Sequence, residues 1–308
     1  MLMNLHRKVR EQLHEGASDW LRLRSIQRDH SRFGWRQAPP FTTYLKDARR
    51  AFSGQPAMGR FAAESKYFEA HQFVSAVTDE TTRVLSSAYR RVMKDIESGR
   101  NVFVPAPFLG PQWGGHPEIE QIFRGDLGNL IRAAFRSEFK IAHGAFGFKK
   151  GGMSGPKIWH SDAGPGTCLN VFAYLSEGQR ENGPTAILPW AESVQIFGKE
   201  SAWLRDRLRR DPEMRKDKKL RREAMAGYYK SEIEGRFADK VAVPSGPAGL
   251  MVIFNNNTLH AAQAPQPGHD RLVATFRVYP AITPPDFARL SETGISGKRG
   301  YPEPREEF

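Results

Sequence analysis

Between Ile141 and Tyr279 the sequence is cut into short apolar runs, each bounded by Gly, Pro or Asn. They are Ile141 to Phe148, Ile158 to Asp162, Cys168 to Leu175, Thr185 to Leu188, Gly249 to Phe254 and Leu272 to Tyr279. Runs this short between turn formers predict strands, because a helix needs a longer periodic stretch to bury one face. Several short strands in series, with helices gathered elsewhere, predict an antiparallel barrel or sandwich backed by helices.

The helices are expected mainly in the first half. The first hundred residues read mostly helical, with breaks at Pro39-Pro40 and between Gly54 and Gly59. From Thr78 to Gly99 the periodicity is clearest: Val84, Leu85, Ala88, Val92 and Ile96 recur at helical spacing, and Gly99 supplies a C-terminal stop. Val102, Phe103, Val104 and Phe108 are strand-like, and Glu118 to Lys140 returns to helical periodicity. Trp203 to Lys240 interrupts the strands with a dense pattern of Arg, Lys, Asp and Glu. That pattern predicts an exposed helical insertion, either a solvated cover or a lid or docking surface. The expected organisation is one domain over 1–308: helical support in 1–138, a strand core in 139–280 with the insertion at about 195–240, and an extended Pro-rich tail in 281–308.

A chain of 308 residues with 39% hydrophobic and 26% charged residues is long and apolar enough to bury a core, which excludes a disordered protein. Its single cysteine, Cys168, excludes an internal disulfide and a Cys-rich metal site. The start, Met1 to Arg10, lacks a continuous apolar run, and no segment approaches the ~20 apolar residues of a membrane span, so a cytoplasmic protein is expected. The net charge of +12 favours anionic partners but is spread along the chain and does not choose among them.

Candidate chemistry centres on Trp159-His160-Ser161-Asp162. On a strand, residues two apart point to the same side, so His160 and Asp162 can converge on one metal ion. His260 follows the strand ending at Phe254 and the turn-forming run Asn255-Asn256-Asn257. Two imidazoles and one carboxylate on one face of an ion form the donor set of non-haem iron(II) oxygenases, with positions left open for co-substrate and oxygen. A lone His-x-Asp is more often a surface hydrogen-bonded pair, so the weight falls on the rest of the pattern. Arg271 opens a strand eleven residues after His260, and its planar guanidinium suits the distal carboxylate of 2-oxoglutarate. Asn182-Gly183-Pro184-Thr185 makes a turn followed by a strand, and the strand Cys168 to Leu175 offers a pocket wall.

In that order and spacing, His160-Ser161-Asp162, Asn182-Gly183-Pro184, His260 and Arg271 resemble the phytanoyl-CoA dioxygenase-like family of iron(II)/2-oxoglutarate oxygenases. The resemblance covers roughly Phe139 to Pro280, and more faintly Tyr67 to Gly99. It implies a double-stranded β-helix core of the jelly-roll or cupin kind, mainly β with flanking helices (α+β). It also implies Fe(II) on His160, Asp162 and His260, with 2-oxoglutarate anchored by Arg271 and O2 as oxidant. Phe172, by position, is the aromatic wall beside 2-oxoglutarate. The implied reaction is oxidation of an unactivated C–H bond of a small, acidic or carrier-linked metabolite, by hydroxylation first, with desaturation or ring chemistry as variants. Halogenating members place Ala or Gly where Asp162 stands, so the carboxylate favours these outcomes.

The chain departs from the family in two places. Pro189-Trp190-Ala191 replaces a Gly-Ser-His ending, and Trp190 to Gly249 is long and basic, which alters the rim of the pocket. Arg271 to Arg277 also resembles the Arg-x5-Arg strand of AlkB-type nucleic-acid demethylases, so Arg277 is a further contact for 2-oxoglutarate or an acidic substrate. A demethylase or protein side-chain hydroxylase, and a non-catalytic barrel that only binds, are the alternatives. His143 is a weaker pocket candidate, His269 is expected to be exposed, and Lys149-Lys150-Gly151-Gly152 reads as a flexible turn. His6, His14, His30, His71 and His116 have no ligand spacing.

Overall fold

A computed structural model describes residues 59–98, 117–135, 138–153, 158–162, 169–256 and 258–280. The helices expected before residue 59, the strand-like run at 102–108, Cys168 and the tail after residue 280 lie outside the described residues, as do His6, His14, His30 and His116.

Four helices precede the main strands: α1 (Ala62–His71), α2 (Asp79–Glu97), α3 (Pro117–Arg124) and α4 (Asp126–Phe135). The α2 helix occupies the stretch with the clearest periodicity, and Val84, Leu85, Ala88 and Val92 are buried along one face of it. The stretch Glu118 to Lys140, expected as one helical run, is instead two helices and the start of a strand. The break falls at Gly125, where the carboxylate of Glu80, reaching over from α2, fills the space a side chain would need. The same carboxylate accepts the Asp126 backbone N–H at 2.8 Å, which satisfies a free donor at the start of α4 and suits the positive end of its dipole.

The strands are β1 (Phe73–Ala76), β2 (Phe139–Lys149), β3 (Leu169–Tyr174), β4 (Thr185–Ile187), β5 (Met251–Asn255), β6 (His260–Ala262) and β7 (Arg271–Pro280). Five of them form an antiparallel sheet in the order β1-β5-β3-β7-β2. The other two, β4 and β6, pair in a small second sheet. Single bridges widen it: His160 pairs with His260 on one side, and Ala242 with Ile187 on the other. The expected strand from Ile158 to Asp162 is thus only a one-residue bridge. From β2 onward the chain passes repeatedly from one sheet to the other, so the architecture is a mixed α/β fold built on two antiparallel sheets.

Side-chain alternation sorts each sheet into two faces. On the large sheet Leu169, Val171, Ile253, Leu272, Ala274 and Phe276 join the helical residues Leu85, Ile122 and Leu127 in one core. The opposite face carries Tyr174, Val252, Phe254 and Val273, which meet Ile187 of the small sheet in a second core. Ala186, Leu188, Leu259 and Ala261 leave the outer face of the small sheet, where α5 (Trp190–Arg210) and α7 (Lys218–Arg236) cover them with Trp190, Phe197, Tyr228, Tyr229 and Ile233. The layers therefore run helices, large sheet, small sheet, helices. The basic insertion buries its aromatic side against the small sheet, while Arg205, Arg207, Arg209, Arg210, Arg215 and Lys230 are exposed. Between its two long helices lies the short α6 (Glu213–Lys216), after which Asp217 caps α7 by accepting the Lys219 N–H at 2.7 Å. No described helix is long and apolar enough to cross a membrane.

Candidate metal centre

His160 and His260 face each other across the bridge that widens the small sheet. Each donates its backbone N–H to the other's carbonyl, at 3.0 and 2.9 Å, and the ring centroids stand 4.3 Å apart. Two residues on, Asp162 donates its own N–H to the carbonyl of Asn256 at 2.9 Å, which fixes its backbone beside the β5–β6 turn. One candidate ligand atom from each of His160, Asp162 and His260 lies within 4.8 Å of the others.

The imidazoles are oriented by their own backbone. The Nδ1 atom of His160 bonds the Ile158 carbonyl at 3.0 Å, and that of His260 bonds the Thr258 carbonyl at 2.9 Å. A carbonyl only accepts, so each ring carries its proton on Nδ1 and keeps the Nε2 lone pair for an ion. These Nε2 atoms stand 3.5 Å from Asp162 Oδ1 and 3.7 Å from Asp162 Oδ2. Such separations exceed a hydrogen bond and fit donors gathered around a shared centre. Burial pushes the His260 pKa down to about 4 against the pull of Asp162, so this ring is neutral at pH 7. Burial also pushes the Asp162 carboxyl up, but His260, Arg277, His160 and the Asn170 amide outweigh it and hold the group below its ordinary range. A neutral imidazole and an ionised carboxylate are the forms that bind a metal. Two nitrogens and one carboxylate suit iron(II) with open positions.

The triad lines a cavity of about 240 Å³ between the sheets, with Asn170, Phe172, Thr185, Ala262, Thr275, Phe276 and Arg277 as the remaining walls. Phe172 and Arg277 are thus both cavity walls, Phe172 packed edge-on against Phe254 with centroids 5.1 Å apart. Arg271 lies further along the strand face that Thr275 and Arg277 share, outside the cavity walls. Its Nη1 donates to the carbonyls of Gly183 and, at 3.2 Å, Gln263, while its Nε is buried with no hydrogen-bond partner. Burial lowers its pKa, and among the described residues no carboxylate pairs with it. His143 sits on β2 opposite Arg277, and His269 is exposed. The turn read as flexible is tied down: Gly151 N–H donates to Asp270 at 2.7 Å and Gly152 N–H to Pro265 at 3.1 Å. The reason is contact with the 265–270 loop, which adjacent sequence does not reveal.

Five cavity residues were not singled out as site residues in the sequence: Asn170, Thr185, Ala262, Thr275 and Phe276. Thr185 belongs to a polar cluster with Tyr174, whose hydroxyl accepts the Thr185 N–H at 3.1 Å. Strand alternation from Phe172 would have placed Asn170 on the same face, and alternation from Arg277 would have placed Thr275 there.

No family model matches the chain, and no curated protein sequence matches it. Among solved structures it is similar to EctD from S. alaskensis with bound Fe, at 15% identity over 71% of this chain and 76% of that one, with a TM-score of 0.49. It is also similar to SnoN, a non-heme alpha ketoglutarate dependent epimerase from nogalamycin biosynthesis, at 12% identity over 72% and 83% of the two chains and a TM-score of 0.48. A third is AviO1 from Streptomyces viridochromogenes Tue57, at 15% identity over 73% and 96% and a TM-score of 0.49. At these identities and scores the likeness assigns neither family nor reaction, and the assignment rests on the geometry of the triad.

Proposed function

We propose that this protein is an iron(II)- and 2-oxoglutarate-dependent oxygenase that hydroxylates a small, anionic molecule, with His160, Asp162 and His260 as the iron ligands. The observation that carries the reading is the pairing of the two imidazoles: both Nδ1 atoms are tied to backbone carbonyls, and both Nε2 atoms stand within 4 Å of one ionised carboxylate. The repeated passage of the chain between two sheets supports a double-stranded β-helix as the core.

Arg271 supports 2-oxoglutarate as co-substrate. A buried guanidinium without a carboxylate partner among the described residues is a cation awaiting an anion, and a carboxylate brought in by a ligand meets that need. When bound, iron with 2-oxoglutarate and O2 supplies the oxidant for a C–H bond. Phe172, backed by the buried Phe254, forms an apolar wall that limits water on one side of the cavity. Arg277, 3.5 Å from Asp162, offsets the carboxylate's charge and faces an anionic substrate. A cavity of about 240 Å³ suits a small co-substrate and the reacting end of a small substrate better than a macromolecule.

The test is anaerobic addition of Fe(II) and 2-oxoglutarate, read by the visible metal-to-ligand charge-transfer band. Wild type should show the band, His160→Ala should lose it and Arg271→Ala should weaken it. Folded wild-type protein that retains no iron and shows no band would sink the proposal.

A further inference from the structure

Asn170 is 3% exposed and sits on the inner face of the large sheet, where its cross-strand partner on β7 is Arg277. Its Nδ2 donates to Asp162 Oδ2 at 2.6 Å, and Arg277 Nη2 stands 3.5 Å from the same oxygen. The other oxygen, Oδ1, is the one nearer His160 Nε2, at 3.5 Å. The carboxylate is therefore asymmetric: Oδ2 takes the hydrogen bond from Asn170 and stands near Arg277 as well as 3.7 Å from His260 Nε2, while Oδ1 is turned toward His160.

We propose that Asn170 is a positioning residue for the metal-binding carboxylate, engaging Oδ2 together with Arg277 so that Asp162 presents Oδ1 alone to the ion. The inference rests on the proposed metal site. A carboxylate bound through both oxygens takes two positions on an ion, and one bound through a single oxygen takes one. Three protein donors leave three open positions on a six-coordinate ion only in the second case. Asn170 thereby keeps vacant a position that a co-substrate or oxygen needs. Rotation of Asp162 would leave the buried Asn170 Nδ2 without its acceptor, which penalises the two-oxygen geometry. The bond also spans the fold, since Asp162 is held by the Asn256 carbonyl beside the small sheet while Asn170 belongs to β3.

The experiment is anaerobic titration of the full-length protein with Co(II), in wild type, Asn170→Ala and Asn170→Leu. It is read by calorimetry and by the visible ligand-field spectrum, with melting of the metal-free proteins alongside. Leu keeps the branched shape of Asn without a donor and covers a failure of the alanine variant to fold. Both variants should bind Co(II) roughly 10- to 100-fold more weakly than wild type. Their Co(II) spectra should also differ from that of wild type, because the second oxygen enters the coordination shell. A merely structural role would lower the melting temperature and leave affinity and spectrum alone, and folded variants with wild-type affinity and spectrum overturn the proposal. Wild type that binds no Co(II) overturns the metal reading itself, and this inference with it.

Discussion

The carbonyls of Ile158 and Thr258 do the same work for two imidazoles a hundred residues apart, each taking the Nδ1 proton of the histidine two residues on. His160 and His260 are also each other's bridge partners, so one pair of backbone hydrogen bonds brings both ligands into place. The pairing of His160 with Asp162 was legible in the sequence because a two-residue spacing has only one geometric meaning on extended chain. For Asn170 only the face was legible, by alternation from Phe172, since the role of an asparagine in an apolar strand is set by its acceptor. Arg271 is the residue whose removal separates co-substrate from metal. Arg271→Met keeps most of the stem and removes the charge, and a lost charge-assisted pair is worth about 1.5–3 kcal/mol. Titration should therefore show 2-oxoglutarate affinity reduced by roughly 10- to 150-fold, with Co(II) affinity in its absence unchanged.

Among the elements, the turn before β4 shows how a connection sets a site. Gly183 has φ +65°, in the left-handed region, and a Cβ there would lie 2.7 Å from the backbone of Ala264 and Pro265. Its carbonyl also accepts from Arg271. Gly183→Ala should therefore lower stability by about 1–3 kcal/mol, measured by chemical denaturation, and weaken 2-oxoglutarate binding through the displaced carbonyl. The insertion gives a contrasting expectation. Phe197 of α5 is 1% exposed and stacks edge-on to Tyr229 of α7, so Phe197→Ala should cost about 3–5 kcal/mol, seen as a lower melting temperature. Element positions were largely readable: β2, β3, β4, β5 and β7 each fall within two residues of an apolar run. The failures have specific causes. Glu80 reaches Gly125 from 45 positions earlier, at the point where a helix that periodicity alone continues is split. Segment 158–162 stays a single bridge, and the three-residue β6 is too short for alternation to register.

For the whole molecule, the His160, Asp162 and His260 group lines the cavity between the two sheets, so stability should depend on the protonation of these side chains and on any ion they bind. In the metal-free protein His260 has a folded pKa of about 4 against roughly 6.5 unfolded. The unfolded chain then takes the proton first as pH falls. The stability is fully present above about pH 6.5 and is lost as pH drops toward 4, by roughly 3 kcal/mol. Asp162, lowered in the fold, adds a loss at still lower pH. Melting temperatures of metal-free protein should fall between pH 7 and 4.5, and His260→Gln should flatten that fall. An ion that binds only the folded state should raise the melting temperature with its concentration at pH 7, and a chelator should reverse the rise.

What the sequence determined by itself follows from short-range rules. Strand alternation, helical period and turn residues marked the strand-rich second half, the α2 helix and the identity of three candidate ligands. What tertiary structure alone decided depends on groups far apart in the chain. The bridge between His160 and His260, the asymmetric hold on Asp162, the burial of Arg271 Nε without a partner and the packing of the basic insertion on the small sheet all belong here. Each needs a partner distant in the chain, and only the folded pairing of strands and packing of layers brings the two together.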